Sequence, residues 1–261
     1  MTQTGTDRIT AAFIQAQQSQ TAALMPYFTL GYPDADTSLA IIAAIAPYSD
    51  LLELGVPFSD PLADGPTVQH STQVALENGT TTAICLAMVR ELRRRGVQTP
   101  ILLMGYVNPI LAYGEASYVR DAADAGADGF IVPDLPPEEA EKLDALAAEA
   151  GLSLVYFLAP TSNEERINRV TARARGFIYL VSVTGVTGAR RQVHTDLASF
   201  VNRVRAKTAV PLAVGFGISN PQQAAEVGQL ADGVIVGSAL LNAVRVAEDK
   251  VATAVQFVQA L

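Results

Sequence analysis

The feature that most constrains this chain is an alternation kept up along its whole length, short apolar runs of strand type separated by longer segments of helical period. A parallel connection has to cross the sheet, and a helix is the compact way to make that crossing, so the pattern points to a parallel α/β architecture. The runs fall at Ala23 to Thr29, Leu51 to Leu54, Ile101 to Tyr106, Gly129 to Val132, Ser153 to Leu158, Phe177 to Val181, Leu212 to Val214 and Gly233 to Val236. Eight strands in this order favour a closed (β/α)8 TIM barrel over a doubly wound sheet. A length of 261 residues suits one such barrel as a single domain, residues 1–261.

Ile9, Phe13 and Ile14 mark an amphipathic stretch ahead of the first strand, which predicts an extra N-terminal helix. The insertion between the second and third runs is longer than one crossover needs and predicts additional helices, near Val68 to Glu77 and Thr82 to Arg95. Thr37 is the expected cap of the helix carrying Leu39, Ile41, Ile42 and Ile45, and Pro136 with Pro137 is the expected opening of a helix from Glu138 to Ala150. No linker, internal repeat or low-complexity run interrupts the alternation. Chemistry on such a barrel is carried by the loops that follow the strands.

Hydrophobic residues make up 49% of the chain and charged residues 17%, enough to fill a core. The net charge of −8 argues against nucleic acid as a partner, and the cluster Arg93, Arg94, Arg95 closes a helix whose dipole it complements. Cys85, the single cysteine, sits among apolar residues and is expected to be buried and inert. The first thirty residues hold Asp7 and a glutamine-rich stretch, and no apolar segment approaches the ~18 residues of a membrane span, so a soluble, cytoplasmic protein without membrane contact is expected. His70 and His194 lack ligand spacing, and no metal is expected.

The stretch Leu52-Glu53-Leu54-Gly55-Val56-Pro57-Phe58-Ser59-Asp60-Pro61-Leu62-Ala63-Asp64-Gly65-Pro66 places one carboxylate inside an apolar strand and two more in the loop beyond it. An inward-facing Glu53 would pair, stay protonated, or face the catalytic mouth, because an unpaired buried charge is costly. Its place near the C-terminal end of the strand favours the mouth, where desolvation would lift its pKa toward neutrality while Asp64, in a more polar loop, stays ionised. On pattern alone the alternative is an ion-paired Glu53 with Asp60 or Asp64 as a turn former. Glycines close the last strands, in Gly185-Val186-Thr187-Gly188, Gly215-Phe216-Gly217-Ile218 and Gly237-Ser238. Such loops fit a phosphate, with the helix starting at Ser238 aiming its positive end at the anion, although they also serve as ordinary turns.

Leu52 to Pro66, together with Gly185-Val186-Thr187-Gly188-Ala189-Arg190, resembles the α subunit family of tryptophan synthase. The similarity runs over nearly the whole chain, through Pro26-Tyr27-Phe28-Thr29-Leu30-Gly31, Tyr106-Val107-Asn108-Pro109 and Pro133-Asp134-Leu135-Pro136. The resemblance implies a lyase that splits indole-3-glycerol phosphate into indole and glyceraldehyde-3-phosphate in a retro-aldol reaction of tryptophan biosynthesis. It implies Glu53 as principal acid/base, Asp64 at the indole nitrogen and Tyr179 in the active site. Gly188, Gly217, Gly237 and Ser238 would hold the phosphate, Thr187 would belong to a lid, and Tyr27 and Phe216 would line the indole pocket. Tyr27 stands where a phenylalanine is frequent, and Val183 where some members carry arginine. The resemblance further implies no cofactor in this subunit and a β-subunit partner, in an α2β2 heterotetramer, that uses pyridoxal phosphate. The competing expectations are a stand-alone lyase releasing free indole, another phosphate-binding barrel enzyme, and a non-catalytic homologue that regulates the β subunit.

Overall fold

A computed structural model describes residues 3–181, 190–215 and 217–261, with only the backbone described for residues 190–195. Eight parallel strands close into a barrel in sequence order: β1 (Ala23–Thr29), β2 (Leu52–Gly55), β3 (Ile101–Met104), β4 (Gly129–Ile131), β5 (Ser153–Leu158), β6 (Ile178–Val181), β7 (Leu212–Gly215) and β8 (Gly233–Val236). Closure is made by β1 against β8, in a register that runs from Ala23 opposite Gly233 to Pro26 opposite Val236. The strands are buried almost throughout, as expected where helices cover the outside and side chains fill the inside.

The helix Gly5–Gln18 lies against the start of β1 and buries Ile9, Phe13 and Ala16, positions spaced by four and three residues that share one face. Phe13 packs on Phe177 at 5.6 Å between ring centroids. Its ring edge also occupies the space that a side chain at Gly233 would need. Ile14, expected on the same face, is instead 48% exposed, because one residue past Phe13 the helix has turned through about 100°. Both helices expected in the long insertion are present, Pro66–Glu77 and Thr82–Arg94.

Two expected helix starts are displaced, each for a local reason. Thr37 does not cap the helix Ala35–Ile45; Asp34 does, accepting from the Thr37 backbone N–H at 2.8 Å and from its hydroxyl at 2.7 Å. The helix expected from Glu138 begins at Glu141. Pro137 disfavours a helical conformation at Pro136, and the chain closes a turn from Glu139 N–H to the Pro136 carbonyl at 2.9 Å while Glu138 is drawn to Arg169 at 2.5 Å and Arg166 at 3.2 Å. The third strand stops at Met104, short of Tyr106, which takes the extended position just ahead of the helix Val107–Tyr113.

At the end of the barrel away from the C-terminal loops, three aspartates repeat one arrangement. Asp50, Asp128 and Asp232 stand ahead of β2, β4 and β8, and each donates its backbone N–H to a carbonyl on the preceding strand, those of Leu24, Ile101 and Leu212. The carboxylate of each then accepts the N–H of that same residue, at 2.8 Å for Leu24 and 2.7 Å for Ile101 and Leu212. The clasp satisfies donors at the strand starts that would otherwise be buried without partners. Arg93 and Arg8 pair with Asp128 at 2.6 and 3.3 Å, and Arg205 pairs with Asp232. Arg93 thus does more than complement a helix dipole, since it also donates to the carbonyls of Gly126, Val97 and Thr99. Asp128→Ala is expected to destabilise the fold by about 3–5 kcal/mol, since it leaves Arg93 a buried charge without its partner. Urea unfolding of the variant beside the parent checks this; a loss below about 1 kcal/mol would mean the clasp is dispensable.

Candidate active site

The C-terminal mouth of the barrel holds a cavity of about 270 Å³ whose lining includes Tyr27 from β1, Glu53 from β2, Met104 from β3, Tyr179 from β6 and Ile235 from β8. The rim is completed by Asp64 and Gly65, by Gly217, Ile218 and Ser219, and by Gly237, Ser238, Ala239 and Asn242. Tyr27, Glu53, Asp64, Tyr179, Gly217, Gly237 and Ser238, dispersed along the sequence, are therefore brought to one place. Thr187, Gly188 and Phe216 lie outside the described residues, as do Val183 and the side chain of His194.

Glu53 is 3% exposed, and no ion pair of Glu53 is found among the described residues. Its Oε2 is buried without a hydrogen-bond partner. Burial pushes the Glu53 carboxyl up to about 8, and the nearby charge of Asp64 adds to the shift. Asp64 is itself lifted to about 6 by burial, against a hydrogen bond from Tyr106 that favours its ionised form. The expected ordering of the two carboxyls holds, but Asp64 is less polar in its surroundings than its loop suggested. Near neutral pH Glu53 is mostly protonated and Asp64 mostly ionised, which is the division of protonation that paired acid/base work requires.

Tyr106 is a site residue that sequence reasoning did not single out for any role. Its hydroxyl donates to Asp64 Oδ2 at 3.0 Å and accepts from the Ala63 N–H at 3.0 Å, and its ring packs on Phe58 at 5.4 Å. Gln69 donates to the Asp64 carbonyl at 2.8 Å, so the loop is tied from both sides. Asp60 bonds Ser59 instead and is absent from the cavity lining. Asn242 was also missed; it lies one helical turn beyond Ser238, and that spacing was the available signal.

Gly217 adopts φ +81°, a conformation that side chains rarely tolerate. Gly237 precedes the helix Ser238–Val246, and a Cβ there would press on the Tyr27 side chain, its Cβ at 3.1 Å and its ring at 3.2 to 3.3 Å. The two turns and the N-terminal end of this helix line the same cavity, an arrangement suited to an anion. Tyr27 and Tyr179 make matching use of glycine. The phenol oxygen of each fills the place of a Cβ on the next strand, at Gly55 for Tyr27 and at Gly215 for Tyr179. The Tyr179 ring stacks on Phe157 at 4.7 Å.

Fold and cavity are those of a β/α-barrel enzyme with two buried carboxyls and glycine turns at its mouth. The family model described as tryptophan synthase alpha chain matches residues 13–261. The chain belongs to the tryptophan synthase alpha chain family. It is 51% identical over 257 residues to the tryptophan synthase alpha chain of Roseiflexus sp. (strain RS-1), covering 97% of this chain and 98% of that one. To the tryptophan synthase alpha chain of Chloroflexus aggregans it is 52% identical over 237 residues, covering 90% and 89%. The crystal structure of tryptophan synthase subunit alpha from Legionella pneumophila str. Paris matches with a TM-score of 0.90 at 36% identity, over 97% of this chain and 96% of that one.

The raised Glu53 pKa carries a stability consequence whose sign is fixed. The folded state keeps a proton that the unfolded chain loses at the ordinary value of 4.5, so from there up to about 8 the folded protein loses stability relative to a variant without the carboxyl. Glu53→Gln should therefore gain on the parent by roughly 1.4 kcal/mol for each pH unit crossed in that window. Urea unfolding of both proteins at pH 5, 6.5 and 8 measures the difference. A stability difference that does not change with pH would show that Glu53 titrates normally.

Proposed function

We propose that the chain cleaves indole-3-glycerol phosphate to indole and glyceraldehyde-3-phosphate, with Glu53 as the acid and base that moves the reaction's protons. The observation that carries this reading is the pair Glu53 and Asp64, two carboxyls that line one cavity and are both raised by burial, Glu53 the further of the two. The scissile bond joins the glycerol chain to indole C3. It becomes breakable once C3 is protonated, because the resulting indolenine can accept the bonding electrons. Protonated Glu53 supplies that proton and, as carboxylate, then accepts one from the hydroxyl beside the bond. Ionised Asp64, held in place by Tyr106, accepts the ring N–H and stabilises the charge that develops there. Tyr179 and Tyr27 supply walls for the flat ring. Gly217, Gly237 and Ser238 hold the phosphate, whose binding energy fixes the reacting end in place. The chemistry runs on side chains alone and takes no cofactor in this subunit.

The loop that carries Asp64 also carries Leu62, which is 94% exposed at the barrel mouth. Leu62 stands two residues before Asp64, so a protein partner docked on this loop would bear directly on the acid pair. We assign that partner as a tryptophan synthase β subunit, with pyridoxal phosphate, in an α2β2 assembly that receives the indole within the cytoplasm.

Glu53→Gln keeps the side chain's shape but cannot cycle a proton, and is expected to lower indole release from indole-3-glycerol phosphate by roughly 10²-fold to 10⁴-fold. A folded variant with near-normal turnover would move the acid/base role to another residue. Assaying the parent with and without a β subunit separates the coupled enzyme from a lyase that works alone at full rate. Gly237→Asp, which puts a negative charge and a Cβ against Tyr27, is expected to abolish glycerol phosphate binding. Retained binding by calorimetry would place the phosphate elsewhere.

A further inference from the structure

Tyr27 and Glu53 are register partners on β1 and β2, and both project into the cavity. The Tyr27 hydroxyl reaches two residues further toward the mouth, over Gly55. There it meets Thr29 Oγ1 at 3.2 Å, Thr29 Oγ1 meets Ser71 Oγ at 2.7 Å, and Ser71 Oγ donates to the Val68 carbonyl at 2.9 Å. Tyr27, Thr29 and Ser71 are all buried. A carbonyl only accepts, so the Ser71 proton goes to Val68. Thr29 must then donate to Ser71, and Tyr27 must donate to Thr29. The three bonds coexist in this one direction, in which the Tyr27 proton goes to Thr29, and the Tyr27 oxygen is left with lone pairs and no proton to offer the cavity.

We propose that Thr29 and Ser71 are positioning residues that hold the Tyr27 proton away from Glu53, its register partner across the cavity wall, so that the Glu53 carboxyl keeps the proton it delivers. This deepens, and rests on, the reading of Glu53 as the acid. A phenol free to donate would stabilise the carboxylate, whereas lone pairs held beside it favour the protonated acid. The unpartnered Oε2 of Glu53 agrees with a neighbour that withholds its donor. Among the described residues, the other titratable groups facing Glu53 and the Tyr27 hydroxyl are Asp64 from the loop after β2 and Tyr179 from β6, with Tyr106 behind Asp64, and none of these is a cation.

The test is a carboxyl-carbon NMR titration of the full chain labelled at glutamate, with the Glu53 signal assigned by its loss in Glu53→Gln. Thr29→Val removes the acceptor and frees the Tyr27 proton for Glu53. The Glu53 midpoint is then expected to fall by about one pH unit, tenfold in its ionisation constant. Ser71→Ala should act in the same direction, because Thr29 can then donate to Tyr27 and reverse the chain. Thr29→Ser keeps the hydroxyl and should hold the parent midpoint. In a Tyr27→Phe background Thr29→Val should produce no further shift. An unchanged midpoint in folded Thr29→Val and Ser71→Ala, or an equal shift without the Tyr27 hydroxyl, overturns the proposal. The titration needs no turnover. Failure of the acid role itself would show separately, as retained indole release by Glu53→Gln.

Discussion

The pairing of β1 with β8 is the contact on which the remaining architecture depends, because it turns a sheet with two faces into a shell with an inside. Without closure, Tyr27 on β1 and Tyr179 on β6 would have no common space to face. With closure, every inward side chain has neighbours on all sides and little water, and an ordinary glutamate becomes an acid that holds its proton near neutral pH. The site's electrostatics are thus a property of the barrel's shape before they are a property of any residue pair. A Glu53 at the same sequence position in an open, solvated strand would titrate like any other.

The eight strands were legible because each is a buried apolar run bounded by glycine, proline or polar residues, and buried parallel strands leave that mark whatever lies next to them. Glu53 was legible for the opposite reason, as a carboxylate where the pattern demands an apolar residue. Tyr106, Thr29 and Ser71 carried no such anomaly. A tyrosine after a strand, or a threonine within one, is ordinary, and their roles arise from partners 42 residues away, Asp64 for Tyr106 and Ser71 for Thr29. Asp50, Asp128 and Asp232 were hidden in the same way, since an aspartate before an apolar run reads as a turn former. The misplaced helix start near Glu138 shows the converse, a good local signal overridden by a turn at paired prolines and by distant arginines. Comparison with relatives secures the family for nearly all of the chain, while the role of each cavity residue rests on geometry and on the experiments above.

Two glycines show how closely the site is fitted to its aromatic residues. Gly55 and Gly215 sit two residues beyond the register partners of Tyr27 and Tyr179, each where the phenol of the neighbouring strand needs room. Glycine is used here for the side chain it lacks, and the backbone conformation imposes no such choice, unlike Gly217 with its positive φ. The cavity walls are therefore specified by pairs of positions, one large and one vacant, and exchanging either member alone would leave a collision or a hole.

The aspartate clasps lie at the opposite end of the strands from the cavity, and each involves a strand pair without touching a loop of the mouth. Polar atoms at the start of the strands are spent on holding register, while those at the other end are left for a ligand. This separation sets how freely the protein can diverge. Loops at the mouth can be rewritten, lengthened or recombined without loosening the closures beneath them, whereas a change at the other rim has no route to a new activity and is felt only as lost stability. A library of variants drawn from this chain would accordingly be best diversified along one rim of the cylinder, with the other held constant as a foundation.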